Sequence, residues 1–333
     1  MNIGILGAGR IGSLHADNLV KFIDGAELVH ICDPFKDNAQ KLAQSLGVTK
    51  VSSEASEVFN DPNIQAVMIC SSTDTHSDFI RKAALAGKHI FCEKPIDFDQ
   101  ENIKKTLEIV KASGKTLQIG FNRRFDKNFA ALRQEIKDGK IGAAHSLKIT
   151  SRDPSPPPVS YIKVSGGLFN DMTIHDFDMA RFIMGEDVVE VFAKGAHLVS
   201  NEIKEAGDID SAMITLKFKS GALGIIDNSR QALYGYDQRI EAFGEKGCLF
   251  ARNEKQDTVD YWGQETLCRK PLPFFFLERY RESYIFEINE FLTSLRLQRQ
   301  PSVTGEDGLE ACRLAIACNL SMKENRAVLM EQI

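Results

Sequence analysis

The sequence predicts an α/β protein in which a doubly wound parallel sheet is followed by an α+β domain with a large, mostly antiparallel open sheet. Short apolar strands alternate with helical patterns up to about residue 120. A glycine-rich turn joins the first strand to the first helix, and strand patterns without intervening helices dominate from residue 144 onward. A length of 333 residues suits two domains, which we place at residues 1–120 and 121–333.

The composition excludes several classes of protein. The chain is 43% hydrophobic and 26% charged, as globular proteins are, and its net charge of -5 argues against nucleic-acid or anionic-membrane partners. Seven cysteines are scattered without a Cys-x-x-Cys pair, so we predict a reducing, cytoplasmic location and no metal site. No apolar run reaches about 18 residues and the sequence begins directly with a strand, so we expect neither a spanning helix nor a signal peptide.

The first strand, NIGIL at residues 2–6, leads into the sequence GAGRIG at 7–12 and then into a helix. This is a G-x-G-x-x-G motif in the strand–turn–helix setting that dinucleotide binding requires. Gly7 would allow the tight turn, Gly9 the close approach of a pyrophosphate, and Gly12 the close packing of helix on strand. The sequence therefore predicts a dinucleotide site that also includes Arg10 and Ile11.

A second strand, AELVHICD, ends at Asp33. An acid at this position can bind both hydroxyls of a ribose and would repel a 2′-phosphate. Pro34 and Phe35 follow, without an arginine to receive that phosphate, although Lys36 weakens the argument. We therefore predict NAD as the cofactor in preference to NADP.

The alternation of helices and strands continues to residue 120. Strands are predicted at 66–70, 89–92 and 116–120, and helices at 36–46, from the end of the stretch 71–75 through 86, and at 100–113.

Two stretches of this half lie where an open α/β sheet binds its ligands, at the carboxyl ends of the strands. Ser71 and Thr73 follow one strand, and His76 lies in the next helix, either on the cofactor side or as a capping or surface histidine. Glu93-Lys94-Pro95 follows the strand at 89–92. A lysine is usually a surface residue, but at this position we interpret Lys94 as functional.

The stretch GGLFNDMTIHDFDMARFIMG at 166–185 predicts a helix that ends at Gly185. Asp171 and His175 are four residues apart and would share one helical face, which Asp178 joins two turns along. Histidine suits a general base near neutral pH, and a neighbouring carboxylate would fix its tautomer. The alternatives are a solvated helix face with an incidental histidine, or Asp171 as a helix cap with His175 packed in the core.

The second half of the chain is dominated by strand patterns. Strands are predicted at 146–151, 188–198, 212–218, 223–228, 239–244 and 247–251, and helices at 129–137, 280–297 and 306–325. One face of the sheet would carry the helix at 171–184, and the other face and the edges need a cover, which predicts a homo-oligomer. The run SRDPSPPP at 151–158 is either a loop that shapes the site or a stiff polyproline linker.

These motifs occur together in one known family. GAGRIG at 7–12, Asp33, Glu93-Lys94-Pro95, GFNRRFD at 120–126 and Asp171-x-x-x-His175 resemble the glucose–fructose oxidoreductase / inositol dehydrogenase (Gfo/Idh/MocA) family over essentially the whole length. YGYDQR at 234–239 and RYRESY at 279–284 also look like this family. RDPSPPP, YIKVSGG and DMTIHDFDMARF are similar to its inositol 2-dehydrogenase branch.

The resemblance implies a Rossmann domain followed by a substrate and oligomerisation domain, a homotetramer, and reversible hydride transfer at C2 of myo-inositol with NAD as acceptor. The catalytic set would be Lys94, Asp171 and His175. The implied cofactor-binding residues are Gly7, Gly9, Arg10, Ile11, Gly12, Asp33, Ser71, Thr73, His76, Glu93 and Lys94. The implied substrate contacts are Lys94, Arg123, Asp153, Asp178, Tyr234 and His175.

Other functions remain open at this stage. Within the same class, scyllo-inositol, another inositol or glucose could replace myo-inositol. In a different class, the fold could serve a dinucleotide-sensing regulatory protein or a structural subunit that binds NAD without turnover. Such proteins should have lost the lysine or the histidine, and both are present.

Overall fold

The structure, a computed structural model, describes all residues from 1 to 333. The chain divides into two units, residues 1–122 with 282–312 and residues 123–281 with 313–333. The first division lies close to the predicted boundary at 120. Residues 282–312, which the sequence analysis placed in the second domain, belong to the first unit instead.

The chain contains fifteen strands and twelve α-helices. The strands are β1 (Asn2–Leu6), β2 (Glu27–Cys32), β3 (Lys50–Ser52), β4 (Ala66–Ile69), β5 (His89–Cys92), β6 (Leu117–Ile119), β7 (Ala144–Arg152), β8 (Val188–Ala196), β9 (Ser211–Phe218), β10 (Leu223–Ser229), β11 (Asp237–Gly244), β12 (Gly247–Ala251), β13 (Asp260–Trp262), β14 (Leu267–Arg269) and β15 (Val328–Leu329). The helices are α1 (Arg10–Phe22), α2 (Lys36–Leu46), α3 (Ala55–Phe59), α4 (Thr73–Leu85), α5 (Gln100–Ser113), α6 (Lys127–Lys137), α7 (Val159–Ile162), α8 (Ile174–Met184), α9 (Asn201–Glu205), α10 (Phe276–Arg279), α11 (Arg281–Arg296) and α12 (Gly305–Glu324). No helix is both long enough and apolar enough to span a membrane.

The sheet of the first unit has six parallel strands in the order β3-β2-β1-β4-β5-β6. All residues of β4 are buried, as expected for a strand that helices cover on both faces. The predicted doubly wound parallel sheet is therefore confirmed.

Helix α11 explains why residues 282–312 belong to the first unit. Its Ile288, Phe291 and Leu292 are buried in the same hydrophobic core as Ile3 and Phe91 of the parallel sheet. Burial of large apolar side chains is the dominant favourable contribution to such packing. A helix far along the chain thus completes the nucleotide unit.

The sheet of the second unit has seven strands in the order β12-β11-β7-β10-β9-β8-β15. All neighbouring pairs are antiparallel except β7 with β10, which are parallel. The prediction of a large, mostly antiparallel sheet is therefore confirmed, with one parallel pair that it did not include.

The two faces of this sheet differ in polarity and cover. Along β9, buried Ala212, Ile214 and Leu216 alternate with residues on the opposite face, and helix α8 packs on the β7 part of the buried face. The strand register places the exposed side chains of Leu223 and Phe243 together on the other face. The second unit therefore buries one sheet face within itself and leaves apolar residues on the outer face.

The helix predicted at 171–184 is not α-helical throughout. A π-helical turn covers Phe169–Thr173, and α8 follows from Ile174 and ends at Gly185 in the left-handed conformation (φ 70°). The C-terminal glycine was predicted correctly. The π-turn was not, because hydrophobic periodicity does not reveal one extra residue in a turn; such turns are frequent at functional sites.

Candidate active site

The glycine-rich loop has the geometry that a dinucleotide requires. Gly7 has a φ of +102°, and a Cβ there would lie 2.5 Å from the carbonyl oxygen of Cys70. A Cβ at Gly12 would lie 2.0 Å from the carbonyl oxygen of Gly7, so only glycine allows α1 to pack this closely. A Cβ at Gly9 would meet nothing, which leaves open space at the N-terminus of α1 beside the exposed Arg10. These residues therefore fit the pyrophosphate of NAD.

Asp33 lies directly after β2, and backbone amides hold its carboxylate. Ala8 N donates to Asp33 Oδ2 at 2.7 Å, and Phe35 N donates to Asp33 Oδ1 at 2.9 Å. The first contact ties the acid to the glycine-rich loop, which is where a ribose attached to the pyrophosphate would need it.

His76 lies between two elements of the predicted cofactor site. Its Nδ1 is 2.7 Å from the Pro95 carbonyl oxygen, and its Nε2 is 3.0 Å from that of Ser71. Burial lowers the pKa of His76, although these backbone contacts oppose the change. The capping and surface interpretations are therefore wrong: His76 links the end of β4 to the Glu93-Lys94-Pro95 turn. Direct contacts of Ser71, Thr73 and His76 with the cofactor stay predictions.

Lys94 follows β5 directly, and its side chain is partly buried. Its backbone N donates to Glu93 Oε2 at 3.3 Å, and its peptide bond to Pro95 is cis. Glu93 Oε1 lies 2.7 Å from His15 Nε2 in α1. The buried Glu93 side chain therefore connects the backbone of the predicted functional lysine to the nucleotide-binding helix.

A third buried group, Glu287 of α11, lies beside this pair. Its Oε1 is 3.9 Å from His15 Nε2, and neither carboxyl oxygen has a hydrogen-bond partner. Burial, and then repulsion by Glu93, raises the pKa of Glu287 well above its usual value. Two ligands of one tetrahedral zinc ion would lie roughly 3.4 Å apart, as bond lengths near 2.1 Å require. The 2.7 Å between His15 and Glu93 is a hydrogen-bond distance, so we interpret the cluster as a hydrogen-bonded pair beside a protonated carboxyl group.

In the second unit, Asp171 lies within the π-helical turn and His175 opens α8. Tyr161 Oη donates to Asp171 Oδ1 at 2.8 Å, and Arg230 Nη1 donates to Asp171 Oδ2 at 2.9 Å. The carboxylate therefore does not cap the helix, which was one of the alternatives. His175 keeps partial solvent exposure, so it is not a core histidine.

Arg123 and Asp178, two predicted substrate residues, are engaged inside the protein. Arg123 Nη1 donates to Asp176 Oδ1 at 2.6 Å, and Arg124 Nε and Nη2 donate to the Asp178 carboxylate at 2.9 and 2.6 Å. Arg123 and Asp178 are buried, and these ion pairs use the groups that a polyol would contact. We therefore leave both out of the substrate contacts proposed below.

Asp153 and Tyr234, the other two candidates, have different surroundings. Burial, and then repulsion by Asp171, raises the pKa of Asp153 to about 7. Tyr234 is half-exposed, donates to Asp237 Oδ2 at 2.7 Å and accepts from Arg152 Nη1 at 3.1 Å. Asp153 thus interacts with the charges around Asp171, whereas Tyr234 belongs to a partly exposed polar network.

A buried polar network that the sequence analysis missed lies beneath α8. Asn228, Ser151 and Gln238 are paired residues of three adjacent strands. Asn228 Nδ2 donates to Asp176 Oδ2 at 2.8 Å, and Arg123 Nη2 donates to Tyr236 Oη at 3.3 Å. The YGYDQR motif at 234–239 supplies a tyrosine to this network, but that residue is Tyr236 and not the predicted Tyr234. The network fixes α8 on the sheet.

Comparisons with known proteins agree with this arrangement. Residues 1–121 match the family described as "Oxidoreductase family, NAD-binding Rossmann fold", and residues 129–250 match the "GFO/IDH/MocA C-terminal domain". The chain is 50% identical to the myo-inositol 2-dehydrogenase of Thermotoga maritima over 100% of this chain and 99% of that protein. It is 37% identical to the scyllo-inositol 2-dehydrogenase (NAD(+)) of Bacillus subtilis, over 98% of this chain and 95% of that protein.

A solved structure gives the same result for the fold and the cofactor. The scyllo-inositol dehydrogenase of Lactobacillus casei, with bound NAD(H) and scyllo-inositol, superposes with a TM-score of 0.93 at 30% identity and 99% coverage of both chains. The named relatives, which are dehydrogenases over nearly the whole chain, support an enzyme over the regulatory and structural alternatives. The chain therefore belongs to the Gfo/Idh/MocA family and is an NAD-dependent oxidoreductase of the inositol dehydrogenase type.

Proposed function

We propose that the protein oxidises myo-inositol at C2 to the 2-keto inositol, scyllo-inosose. The observation that carries the proposal is a partly exposed histidine, His175, four residues after a carboxylate, Asp171, that two donors hold. The relative that is 50% identical over the whole chain is named for this activity. A relative at 37% identity is named for scyllo-inositol, so scyllo-inositol is the second candidate substrate.

The proposed chemistry divides between the two units. The glycine-rich loop and Asp33 would hold NAD, which accepts a hydride when it is bound. Lys94 donates a hydrogen bond to the substrate hydroxyl, and its charge favours the developing alkoxide. His175 accepts the hydroxyl proton as general base, and Asp171 orients the imidazole and stabilises its charged form.

Asp153 and Tyr234 are the further polyol contacts that we propose. A cyclic polyol is neutral and presents hydroxyl groups in a fixed pattern. A hydroxyl group left unmatched in a closed site is costly, which gives discrimination among stereoisomers. The carboxyl of Asp153 and the hydroxyl of Tyr234 would supply such matches.

A spectrophotometric screen tests the proposal. Nicotinamide absorbance is followed with NAD and, in turn, myo-inositol, scyllo-inositol and glucose, and we expect the highest kcat/KM with myo-inositol. His175→Ala should lower kcat roughly 100- to 10,000-fold, the usual contribution of a positioned base, with NAD binding nearly intact. Wild-type turnover in His175→Ala, with an unaltered pH dependence, would remove His175 from the mechanism. A higher kcat/KM with scyllo-inositol or glucose would replace the substrate.

We also propose that the protein is a homotetramer, and the outer face of the seven-stranded sheet supports this. Met213, Leu223, Ile225, Phe243 and Phe250 all expose apolar side chains there. Several large apolar side chains exposed on one sheet face favour an interface, and a second copy would cover them. Sedimentation velocity should give a tetramer, and Leu223→Asp with Ile225→Asp should dissociate it. A fully active wild-type monomer at micromolar concentration would refute the assembly.

The cysteines support a cytoplasmic location, which we propose for the same protein. All seven are free thiols, and five are buried. Burial raises the pKa of Cys70 and of Cys92 well above the usual value, which makes these thiols unreactive. Cell fractionation with activity in the soluble reducing compartment is expected, and activity confined to an oxidising compartment would contradict it.

A further inference from the structure

The side chains that hold Asp171 come from two parts of the chain that the sequence analysis did not connect with the reaction. Tyr161 lies in α7, which begins directly after the proline run at 156–158. Arg230 lies directly after β10. Each donates one hydrogen bond to a different carboxylate oxygen, at 2.8 Å and 2.9 Å respectively.

Arg230 is a fully buried cation with two acidic partners. Its side chain is 1% exposed, and its Nη2 lies 3.4 Å from Asp208 Oδ2. Burial tends to lower the pKa of Arg230, but attraction by Asp171, and then by Asp208 and Asp153, outweighs burial and raises that pKa. The guanidinium group is therefore charged and has no freedom to turn towards solvent.

Asp208 connects this ion pair to the π-helical turn. Asp208 Oδ1 accepts a hydrogen bond from Leu168 N, one residue before the turn begins, at 3.0 Å. Arg230 is fixed at its own backbone as well, because Arg230 N donates to the Asp210 carbonyl oxygen at 2.8 Å. The Arg230 guanidinium group thus joins the end of β10 to the turn that carries Asp171.

We propose that Arg230 and Tyr161 are positioning residues of the oxidation: they orient the Asp171 carboxylate, and the charge of Arg230 sets the pH above which His175 can accept a proton. This inference rests on the proposed roles of Asp171 and His175. It also gives a structural role to the segment at 151–158, which leads directly into the helix that carries Tyr161.

The expected direction follows from Coulomb's law. A positive charge that is bonded to Asp171, four residues before His175, opposes protonation of the imidazole. Removing the charge of Arg230 would let His175 keep its proton to higher pH, so the neutral base would become available only at higher pH. Asp153 and Asp208 act in the opposite sense to Arg230, as does Asp176, whereas Arg123 adds to its effect.

The first test is the pH dependence of kcat. In Arg230→Gln, the acid limb should move upward by roughly one pH unit, the smallest change expected from a nearby charge. Tyr161→Phe should lower kcat roughly 3- to 10-fold, as expected for one lost hydrogen bond, while KM changes less than about twofold. Tyr161 is half-exposed, so this variant should fold even if Arg230→Gln does not.

The second test does not depend on turnover. Diethyl pyrocarbonate modifies unprotonated imidazoles, and peptide mass spectrometry separates His175 from the other six histidines. The midpoint of His175 modification against pH should rise in Arg230→Gln, while the exposed His145 and His197 serve as internal references. Arg181→Gln is the matched control, because Arg181 lies on α8 and pairs with Asp187, at 3.0 Å. It should leave the midpoint and kcat unchanged.

The outcomes distinguish a failure of the proposed function from a failure of the roles of Arg230 and Tyr161. If His175→Ala keeps wild-type turnover, the proposed function fails, whereas the modification midpoint still measures the effect of Arg230 on His175. If Arg230→Gln leaves both the acid limb and the midpoint unchanged, the role of Arg230 is overturned. If Tyr161→Phe keeps the kcat of the wild type, or alters KM alone, the role of Tyr161 is overturned.

Discussion

The two units bury carboxyl groups in opposite ways. In the first unit, the carboxyl group of Glu287 has no hydrogen-bond partner, and burial raises its pKa well above the usual value. In the second unit, three acids near α8 each receive hydrogen bonds from an arginine: Asp171 from Arg230, Asp176 from Arg123, and Asp178 from Arg124. A buried acid without a cation keeps its proton, whereas an acid facing a guanidinium forms a directional ion pair.

The difference indicates which groups each unit fixes in position. A planar guanidinium fixes its partner in two directions, and such groups hold Asp171, Asp176 and Asp178, the acids that flank His175 in the sequence. In the first unit the neutral Glu287 leaves Glu93 to bond His15 and the backbone of Lys94. The carboxylate beside the proposed base is thus held through charge, and the proposed catalytic lysine through its main chain.

The largest expected effect comes from breaking one ion pair of the second unit. Arg123→Met leaves the buried Asp176 without its cation and should lower the free energy of unfolding by roughly 3–5 kcal/mol. The double variant Arg123→Met/Asp176→Asn removes the charge but keeps an acceptor for Asn228, so it should recover much of this loss. Thermal and denaturant unfolding measure both. A double variant that is no more stable than Arg123→Met would contradict the ion-pair interpretation.

The next effect tests the lysine that the first unit holds by its backbone. Lys94→Ala should cut kcat at least about 100-fold, the scale of one lost electrostatic group, because the developing alkoxide loses a positive charge. NAD affinity, measured by fluorescence titration, should be retained because the alanine keeps the backbone N–H that donates to Glu93. A loss of NAD affinity at unchanged kcat would make Lys94 a cofactor residue instead.

A smaller, pH-dependent effect distinguishes the neutral acid from the ion pairs. The pKa of Glu287 is raised in the folded protein, so the folded state keeps a proton that the unfolded chain releases as pH rises above the usual value of 4.5. The stability of the wild type should therefore fall as pH rises through this range. Glu287→Gln cannot ionise, so its melting temperature should exceed that of the wild type increasingly from pH 5 to pH 8. Parallel curves would show that Glu287 is ionised in the folded state.

The smallest effect concerns Asp33, whose carboxylate accepts hydrogen bonds from two backbone amides instead of pairing with an arginine. We expect a carboxylate at this position to bind the ribose hydroxyls and to repel a 2′-phosphate. Asp33→Ser should reduce the ratio of kcat/KM for NAD to that for NADP by roughly 10-fold, while Gly9→Ala should weaken both cofactors alike. Equal catalytic efficiency of the wild type with NAD and NADP would defeat the argument.

Local sequence signals predicted most of the fold. The parallel sheet was predicted from the glycine-rich motif and from short apolar strands, each of which can be read from a few neighbouring residues. The predicted elements begin and end within a few residues of their observed limits. Short elements such as β3 and α7 were missed because three or four residues show no periodicity. The helix predicted at 280–297 corresponds to α11, whereas the four-residue α10 that precedes it was missed.

Contacts between residues far apart in the chain could not be predicted from the sequence. Asp171 and His175 could be proposed as a pair because they lie on one short segment. Arg230, by contrast, is 59 residues from Asp171, and Glu287 lies far along the chain from His15 and Glu93. Nothing local distinguishes an arginine that pairs with a buried carboxylate from an arginine on the surface. The same reason explains why the ion pair of Arg123 with Asp176 was not predicted.

The π-helical turn at Phe169–Thr173 makes the spacing of this segment as important as its residues. Such a turn holds one residue more than an α-helical turn, and each residue advances about 100° around the axis. Deleting one residue there would rotate the preceding chain by about that angle relative to α8 and carry Asp171 away from Arg230. Insertions and deletions in this turn would thus change the catalytic geometry of a relative while every functional side chain is retained.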